Sequence, residues 1–238
     1  MNVYLDNAAT TPMLPEVIEA MLPYMRDHFG NPSSTHQFGR RTKTAIEQSR
    51  RQIAEYLGVE PRTICFTSGG TEADNMALHA GVDQLGCQRI LTCATEHSAV
   101  LKTAEHLGHR EGVTCGMLQL DSTGRVDLQH LAATLSDGVP TLVSVMHGNN
   151  EVGILQDIMA IGQCCWDHGA LFHSDTVQTM GHYPMDLGNM PIDFAACSAH
   201  KLHGPKGAGF LYVKDGHRIG AHIIGGSQER AMRGGTEN

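Results

Sequence analysis

Ala170-Leu-Phe-His-Ser-Asp-Thr-Val-Gln178, and further on Phe194-Ala-Ala-Cys-Ser-Ala-His-Lys201 running into Leu202-His-Gly-Pro-Lys-Gly-Ala-Gly209, are the stretches from which the chain is best read. Each begins as a short apolar run of strand length and ends on polar residues. The first run closes on Asp175 and the second on Lys201. A carboxylate and an amine at the ends of neighbouring strands suit an aldehyde cofactor such as pyridoxal 5'-phosphate (PLP). The amine condenses with the aldehyde, and the carboxylate keeps the pyridine nitrogen protonated. Taken singly, an Asp or a Lys at a strand end is usually an ordinary charged loop residue. What surrounds these two decides between the readings.

Working outward, β-branched and apolar runs alternate with stretches of helical spacing. Strands are predicted at Thr63–Phe66, Arg89–Cys93, Thr114–Gln119, Thr141–Met146, Ala170–His173, Phe194–Cys197 and Gly209–Val213. Helices are predicted between them at Glu72–Leu85, Ser98–Arg110, Asp127–Leu135 and Ile154–His168, and upstream at Pro15–His28 and Arg40–Leu57. This alternation predicts an α/β fold with a mainly parallel sheet of about seven strands and helices on both faces. In such sheets ligands bind beyond the carboxyl ends of the strands. The polar clusters fall there: Ser68–Thr71, Thr95–His97, His147–Asn150, Asp175–Gln178 and Ser198–Lys201.

Each cluster has a plain reading beside its chemical one. Gly70 and Thr71 lie in a Gly-rich strand-to-helix turn whose free N–H groups and hydroxyl suit a phosphate, and equally form a simple helix cap. His97 fits stacking on a flat ring, proton transfer or capping of the next helix. Asn149, Asn150 and Gln178 offer side-chain donors to a phenolic oxygen, although Asn also favours turns. Of the two lysines after the Phe194 run, Lys206 sits in a Gly-Pro-Lys-Gly turn. Lys201 directly follows the apolar run, where desolvation lowers an amine's pKa, and is the preferred covalent residue.

Bulk properties narrow the function. The 238 residues are 41% hydrophobic and 18% charged, ordinary for a soluble globular chain. A net charge of −8 leaves no basic footprint for nucleic acid. No run approaches the ~20 apolar residues of a membrane span. Met1–Asp6 lacks the basic start and apolar core of a secretory signal, so a cytoplasmic location is expected. The seven cysteines show neither CxxC spacing nor a disulfide framework, and reduced thiols are expected. Cys164 and Cys165, with His168 and His173 nearby, are read as a helix end and the following strand; no metal site is assigned.

Together these motifs resemble the NifS-like cysteine desulfurases of the class V aminotransferase group, over nearly the whole chain. Leu5-Asp-Asn-Ala-Ala-Thr-Thr-Pro12 is similar to the family's opening motif and Gly30-Asn-Pro-Ser-Ser34 to its second. Phe66-Thr-Ser-Gly-Gly-Thr-Glu72 is similar to its phosphate-binding turn. The resemblance implies a fold type I PLP enzyme with Gly70, Thr71 and Ser198 at the phosphate and His97 stacked over the ring. It implies Asn150 and Gln178 near the phenolic oxygen, Asp175 at the pyridine nitrogen, His200 in the active site and Lys201 as Schiff-base lysine. Gly225-Gly-Ser-Gln-Glu-Arg230 and Arg233-Gly-Gly-Thr-Glu-Asn238 resemble a segment that crosses a dimer interface, where Thr236 would touch the other subunit's phosphate. The opening motif and the Gly204-Pro-Lys-Gly form resemble the NifS-like rather than the SufS-like branch.

The implied reaction takes L-cysteine to L-alanine and leaves sulfur as a persulfide, for iron–sulfur clusters or tRNA modification. A homodimer and a sulfur-acceptor or scaffold protein are the implied partners. The chain departs from the family by ending at Asn238, inside the motif that introduces the second domain. The resemblance puts the persulfide-forming cysteine and the arginine for the substrate carboxylate in that second domain, and none of the seven cysteines matches the former. The expectation is therefore a PLP-binding large domain at 15–238, with residues 1–14 packing on an absent small domain. Such a chain would bind cofactor with little turnover and expose apolar surface. A non-catalytic remnant or partner subunit, a selenocysteine lyase and another class V aminotransferase are the alternatives.

Overall fold

The computed structural model describes all residues, Met1–Asn238. Two helices, α1 (Pro15–Arg26) and α2 (Gln37–Tyr56), precede the first strand. There follow β1 (Ile64–Thr67), α3 (Gly70–Asp83), β2 (Arg89–Thr92), α4 (Ser98–Gly108), β3 (Thr114–Met117), α5 (Leu128–Leu135) and β4 (Thr141–Ser144). A small hairpin of β5 (Gly148–Asn149) and β6 (Ile154–Leu155) leads to α6 (Ile158–Asp167), β7 (Leu171–Asp175), β8 (Phe194–Ser198) and β9 (Gly209–Val213).

All seven expected strands pair into one sheet in the order β1-β9-β8-β7-β4-β2-β3. The pairs from β8 through β3 are parallel, whereas β9 is antiparallel to both β1 and β8. Only β9 therefore runs against the rest. The carboxyl ends of β1, β2, β4, β7 and β8 share one edge of the sheet, and the polar clusters follow them there.

Side chains along each strand alternate between two cores, as the period of two requires. Ile64, Leu91, Val143, Phe172, Ala195 and Tyr212 face one side, packed with Ala54 of α2 and Leu57 just after it, Leu131 and Leu135 of α5, and Ile158, Ile161 and Cys165 of α6. Cys65, Ile90, Leu142, Phe194, Ala196 and Leu211 face the other, against Met76, Ala77 and Ala80 of α3 and Val100, Ala104 and Leu107 of α4. A sheet covered on both faces is what a parallel block needs, and it explains why the central strands read as continuous apolar runs.

The two helix starts that differ most from the sequence reading are those of α6 and α2. The helix expected over Ile154–His168 begins at Ile158, because Asp157 accepts the Ala160 N–H (3.0 Å) and caps it there. Ile154 and Leu155 pair instead with Asn149 and Gly148. The Arg40–Leu57 helix starts earlier, at Gln37.

The N-terminal segment is held in part by the sheet edge. The Thr11 N–H donates to the His200 carbonyl (2.9 Å) and the Leu14 N–H to that of His203 (3.1 Å). Val3 and Leu5 stay exposed, and α1 buries none of its residues.

Phe172 is fully buried in the first core. Phe172→Ala should destabilise the chain by about 3–5 kcal/mol. Urea unfolding monitored by circular dichroism measures this, and an unshifted midpoint would show that the two-layer packing is wrong.

Candidate active site

The strand ends converge on one crevice of ≈ 270 Å³. Gly70 and Thr71 reach it from β1, His97 from β2, Asn150 from β4, Asp175 and Gln178 from β7, and Ser198, His200 and Lys201 from β8. All five clusters singled out in the sequence thus meet in one place. Lys206 and Thr236 do not; both are exposed outside the crevice. Thr236, assigned to a phosphate by resemblance, is therefore not brought to the phosphate-type turn of its own chain.

One end of the crevice is the turn between β1 and α3. The N–H groups of Gly70, Thr71 and Glu72 have no partner in the chain, while the Ala73 N–H is the first to bond back, to the Gly69 carbonyl at 3.2 Å. Three free donors and the positive end of the helix dipole point to an anion. Glycine is required on both counts here. Gly69 has φ +150°, and a Cβ at Gly70 would stand 2.6 Å from Val177 Cγ2.

The floor is acidic and dry. Asp175 is buried at the end of β7, its Oδ1 accepting the Val177 N–H at 2.9 Å. Asp74, from the second turn of α3, is buried beside it. One ligand-type atom from each of Asp74, Asp175 and His97 lies within 4.8 Å of the others. Burial pushes the Asp74 carboxyl up to about 8. Burial, and then the neighbouring Asp74 charge, pushes Asp175 up to about 7. Behind them His173 Nε2 stands 3.4 Å from Asp74 Oδ1, while His173 Nδ1 meets Ser144 Oγ at 2.8 Å. Burial lowers His173 to about 4, so its ring is neutral. The Asp74 Oδ1 and His173 Nε2 atoms have no hydrogen bond. A buried carboxyl pair with an orphaned oxygen is a place for a cation.

The opposite wall carries the amine. Lys201 is half-buried; desolvation lowers its pKa, against the pull of Asp175 and Asp6. Its Nζ and the Nε2 of Gln178 (3.0 Å) both donate to the Ala8 carbonyl. His200 Nδ1 lies 3.1 Å from Thr10 Oγ1, and Ala9 itself lines the crevice. The N-terminal turn is thus a wall of the site.

His97 reconciles two of its possible readings. Its Nδ1 accepts the Ala99 N–H (3.1 Å) and caps α4, which puts the proton of the neutral ring on Nε2 and fixes the ring at the crevice. Asn149 proves structural: buried, it donates to the Thr95 carbonyl (2.6 Å) and accepts the N–H groups of Glu151 and Val152. Asn150 is the exposed neighbour that faces the crevice.

Sequence reasoning missed Asp74, His173 and the wall made by Ala8–Thr10. Asp74 had a signal. It is a carboxylate on the otherwise apolar face of α3 that carries Ala73, Met76, Ala77 and Ala80. The wall had none, because it depends on contacts spanning |i−j| of 170 to 193.

The group that this fold family holds is pyridoxal 5'-phosphate, and the residues fit it. Free N–H donors and glycines stand where a phosphate is wanted, a desolvated carboxylate where a cationic ring nitrogen is wanted, and an amine of lowered pKa across from it. The class V aminotransferase family pattern matches residues 3–232. Cysteine desulfurase IscS of Dictyoglomus turgidum is 44% identical over 238 residues, covering 99% of this chain and 60% of that protein. Putative cysteine desulfurase IscS 1 of Bacillus subtilis is 45% identical, covering 99% and 62%. Among solved structures, a NifS-like protein superposes with TM-score 0.93 at 39% identity, covering 100% of this chain and 66% of the other. SspA in complex with cysteine superposes with TM-score 0.93 at 35% identity, covering 99% and 69%. The chain spans about 60% of the length of these curated relatives. With fold, crevice and sequence in agreement, the chain belongs to the class V aminotransferase family.

Proposed function

We propose that this chain is the cofactor-holding part of a PLP-dependent cysteine desulfurase acting on L-cysteine. The single observation that carries the reading is the meeting of Asp175 and Lys201 in one crevice with the free N–H groups at the start of α3. The cofactor, when bound, supplies an aldehyde that condenses with amines and a pyridine ring that accepts electrons. Gly70 and Thr71 hold its phosphate, with Ser198 beside them. Asp175 holds the proton on the ring nitrogen. His97, pinned by its cap to α4, would face the ring. Gln178 and Asn150 orient the phenolic oxygen. Lys201 would anchor the cofactor covalently, and its lowered pKa would suit its amine to hold the substrate's α-proton. His200, its pKa lowered by burial, then by Lys201 and Lys206, stands beside that amine at the crevice.

The crevice lining contains neither a cysteine nor an arginine. Cys65, Cys87, Cys93, Cys165 and Cys197 are buried, and burial pushes their thiols well up, so none is a ready sulfur acceptor. Cys115 and Cys164 are partly exposed but lie outside the crevice lining, so on this reading the thiol that takes the sulfur and the cation for the substrate carboxylate come from elsewhere. The exposed Val3 and Leu5 support residues 1–14 also meeting a second domain, with 15–238 as the large domain. Exposure of Thr236 away from its own crevice supports a homodimer in which it serves the other subunit. A sulfur-acceptor protein and a cytoplasmic setting complete the reading, and the seven free thiols suit the latter. No helix is long and apolar enough to cross a membrane.

Mixing the purified chain with PLP should produce a visible absorption band that Lys201→Ala abolishes. Asp175→Asn should weaken binding by about tenfold or more, the scale of losing a buried charge partner. A wild-type chain that shows no band, or a Lys201→Ala chain that shows the same one, removes the reading. Given L-cysteine, the loaded chain should form little alanine, and sustained alanine formation would contradict the division of groups between this chain and an outside part.

The acidic floor also makes a pH prediction for the chain without added cofactor. Asp74 at about 8 and Asp175 at about 7, against an ordinary 3.8, hold protons that the unfolded chain has released. That stability is present at low pH and is lost as pH rises through the folded values. His173, lowered from 6.5 to about 4, acts in the opposite sense only below 6.5. The melting temperature should therefore fall between about pH 6.5 and 8, and Asp74→Asn should flatten the fall. A rise over that window would refute protonated acids on the floor.

A further inference from the structure

The phosphate-type turn is held from outside by a segment that lies far away in sequence. β1 is an edge strand, and no strand pairs with its outer side. An ion pair takes that place. The Arg50 Nη1 donates to the Ile64 carbonyl at 2.7 Å, and the Phe66 N–H donates to Glu229 Oε2 at 2.8 Å. Arg50 and Glu229 clasp each other through two bonds of 2.7 and 2.8 Å, with both side chains only 2% exposed. The clasp satisfies the strand's unpaired polar groups and closes its edge.

Glu229, Arg230 and Ala231 have φ of 45°, 57° and 66°. Three successive side-chain-bearing residues in the left-handed region are strained, and persist only where the surroundings impose them. The Arg50 clasp is one such restraint. Arg230 adds a bond to the Pro61 carbonyl (3.0 Å) and an ion pair with Glu47 (3.2 Å).

The strained segment delivers Arg233 to the start of α3. Its Nε donates to Glu72 Oε1 at 2.7 Å, and its Nη2 lies 3.4 Å from Glu72 Oε2. Glu72 Oε2 in turn accepts the Ser68 N–H at 2.8 Å. Glu72 is the one acidic residue in the first turn of α3. A free carboxylate there would compete with a phosphate for the positive helix end and repel it. The same crevice carries the orphaned, buried Oδ1 of Asp74, so a ligand is indicated independently of the helix end.

We propose that Arg233 is a positioning residue for the cofactor phosphate, acting through Glu72: it neutralises that carboxylate and holds it turned back onto Ser68, leaving the helix end free for the anion. This rests on the PLP reading above. Burial raises the Glu72 pKa, but the Arg233 and Ser68 bonds outweigh it, so the carboxylate stays ionised and needs its partner.

The test compares PLP with pyridoxal, which has the same ring and aldehyde but no phosphate, by absorbance titration of the full chain. Arg233→Gln should weaken PLP by about tenfold and leave pyridoxal within about twofold, the size of a partly buried charge at a helix end. Adding Glu72→Gln to Arg233→Gln should recover PLP affinity to within about threefold, since the repelling charge is gone. Arg233→Lys keeps the charge but loses the paired contact, and serves as the second variant should Arg233→Gln fail to fold; it should lose less PLP affinity than Arg233→Gln, staying within about fivefold of wild type. Equal loss of both ligands, no recovery in the double variant, or a tenfold loss in Arg233→Lys would overturn the proposal while leaving the PLP reading intact. Failure of the wild-type chain to bind PLP would overturn both.

Discussion

Asp175 sits at the end of a central strand with almost no access to water, and Asp74 adds a second buried carboxyl beside it. Two such groups in a desolvated crevice cannot both be ionised at neutral pH without a cation nearby. The floor therefore favours a positively charged group, and the other polar residues of the crevice are arranged around it. Parallel strands bring His97, Asn150 and Gln178 around it. The turn before α3 sets an anion site at one end, and Lys201 stands on the other wall. A ring that is cationic at its nitrogen and anionic at its phosphate satisfies both ends of the crevice at once.

The sheet direction makes this arrangement possible. Because β9 alone runs against the others, five strand ends deliver their polar residues to the same edge. The strands themselves are short, four or five residues each, and the two cores on either face hold them in register. The chemistry sits on strand ends, the start of α3 and short loops, each tethered to a buried strand within a few residues. Functional side chains thus gain both reach and rigidity.

Segments from both ends of the chain return to this edge. The N-terminal turn supplies the Ala8 carbonyl to Lys201 and Gln178, and the segment near 230 clasps β1 and the first turn of α3. The N-terminal turn has no buried apolar face of its own, and the segment near 230 offers chiefly Met232, packed against the second core. Hydrogen bonds and ion pairs supply most of what holds them, which places them among the parts whose order depends on the completed domain.

All seven strands of the main sheet, the six helices and the five polar clusters were legible in the sequence, because hydrophobic periodicity and strand-end polarity are local properties. So was the preference for Lys201 over Lys206, through its position directly after an apolar run. Ile154 and Leu155 misled because a short apolar pair carries no period, and only the Asp157 cap decided where α6 begins. Asp74 went unnoticed because helix periodicity tells which residues face the sheet, not which of them opens into a crevice. The sequence by itself thus determined the element order, the alternation that demands a two-faced sheet, and the residue types at each strand end. The tertiary structure alone decided that Asp74 meets Asp175, that Ala8 meets Lys201, and that Arg50 and Arg233 reach Glu229 and Glu72. Those contacts join residues far apart along the chain, and their partners are chosen by packing geometry and desolvation, which no local pattern encodes.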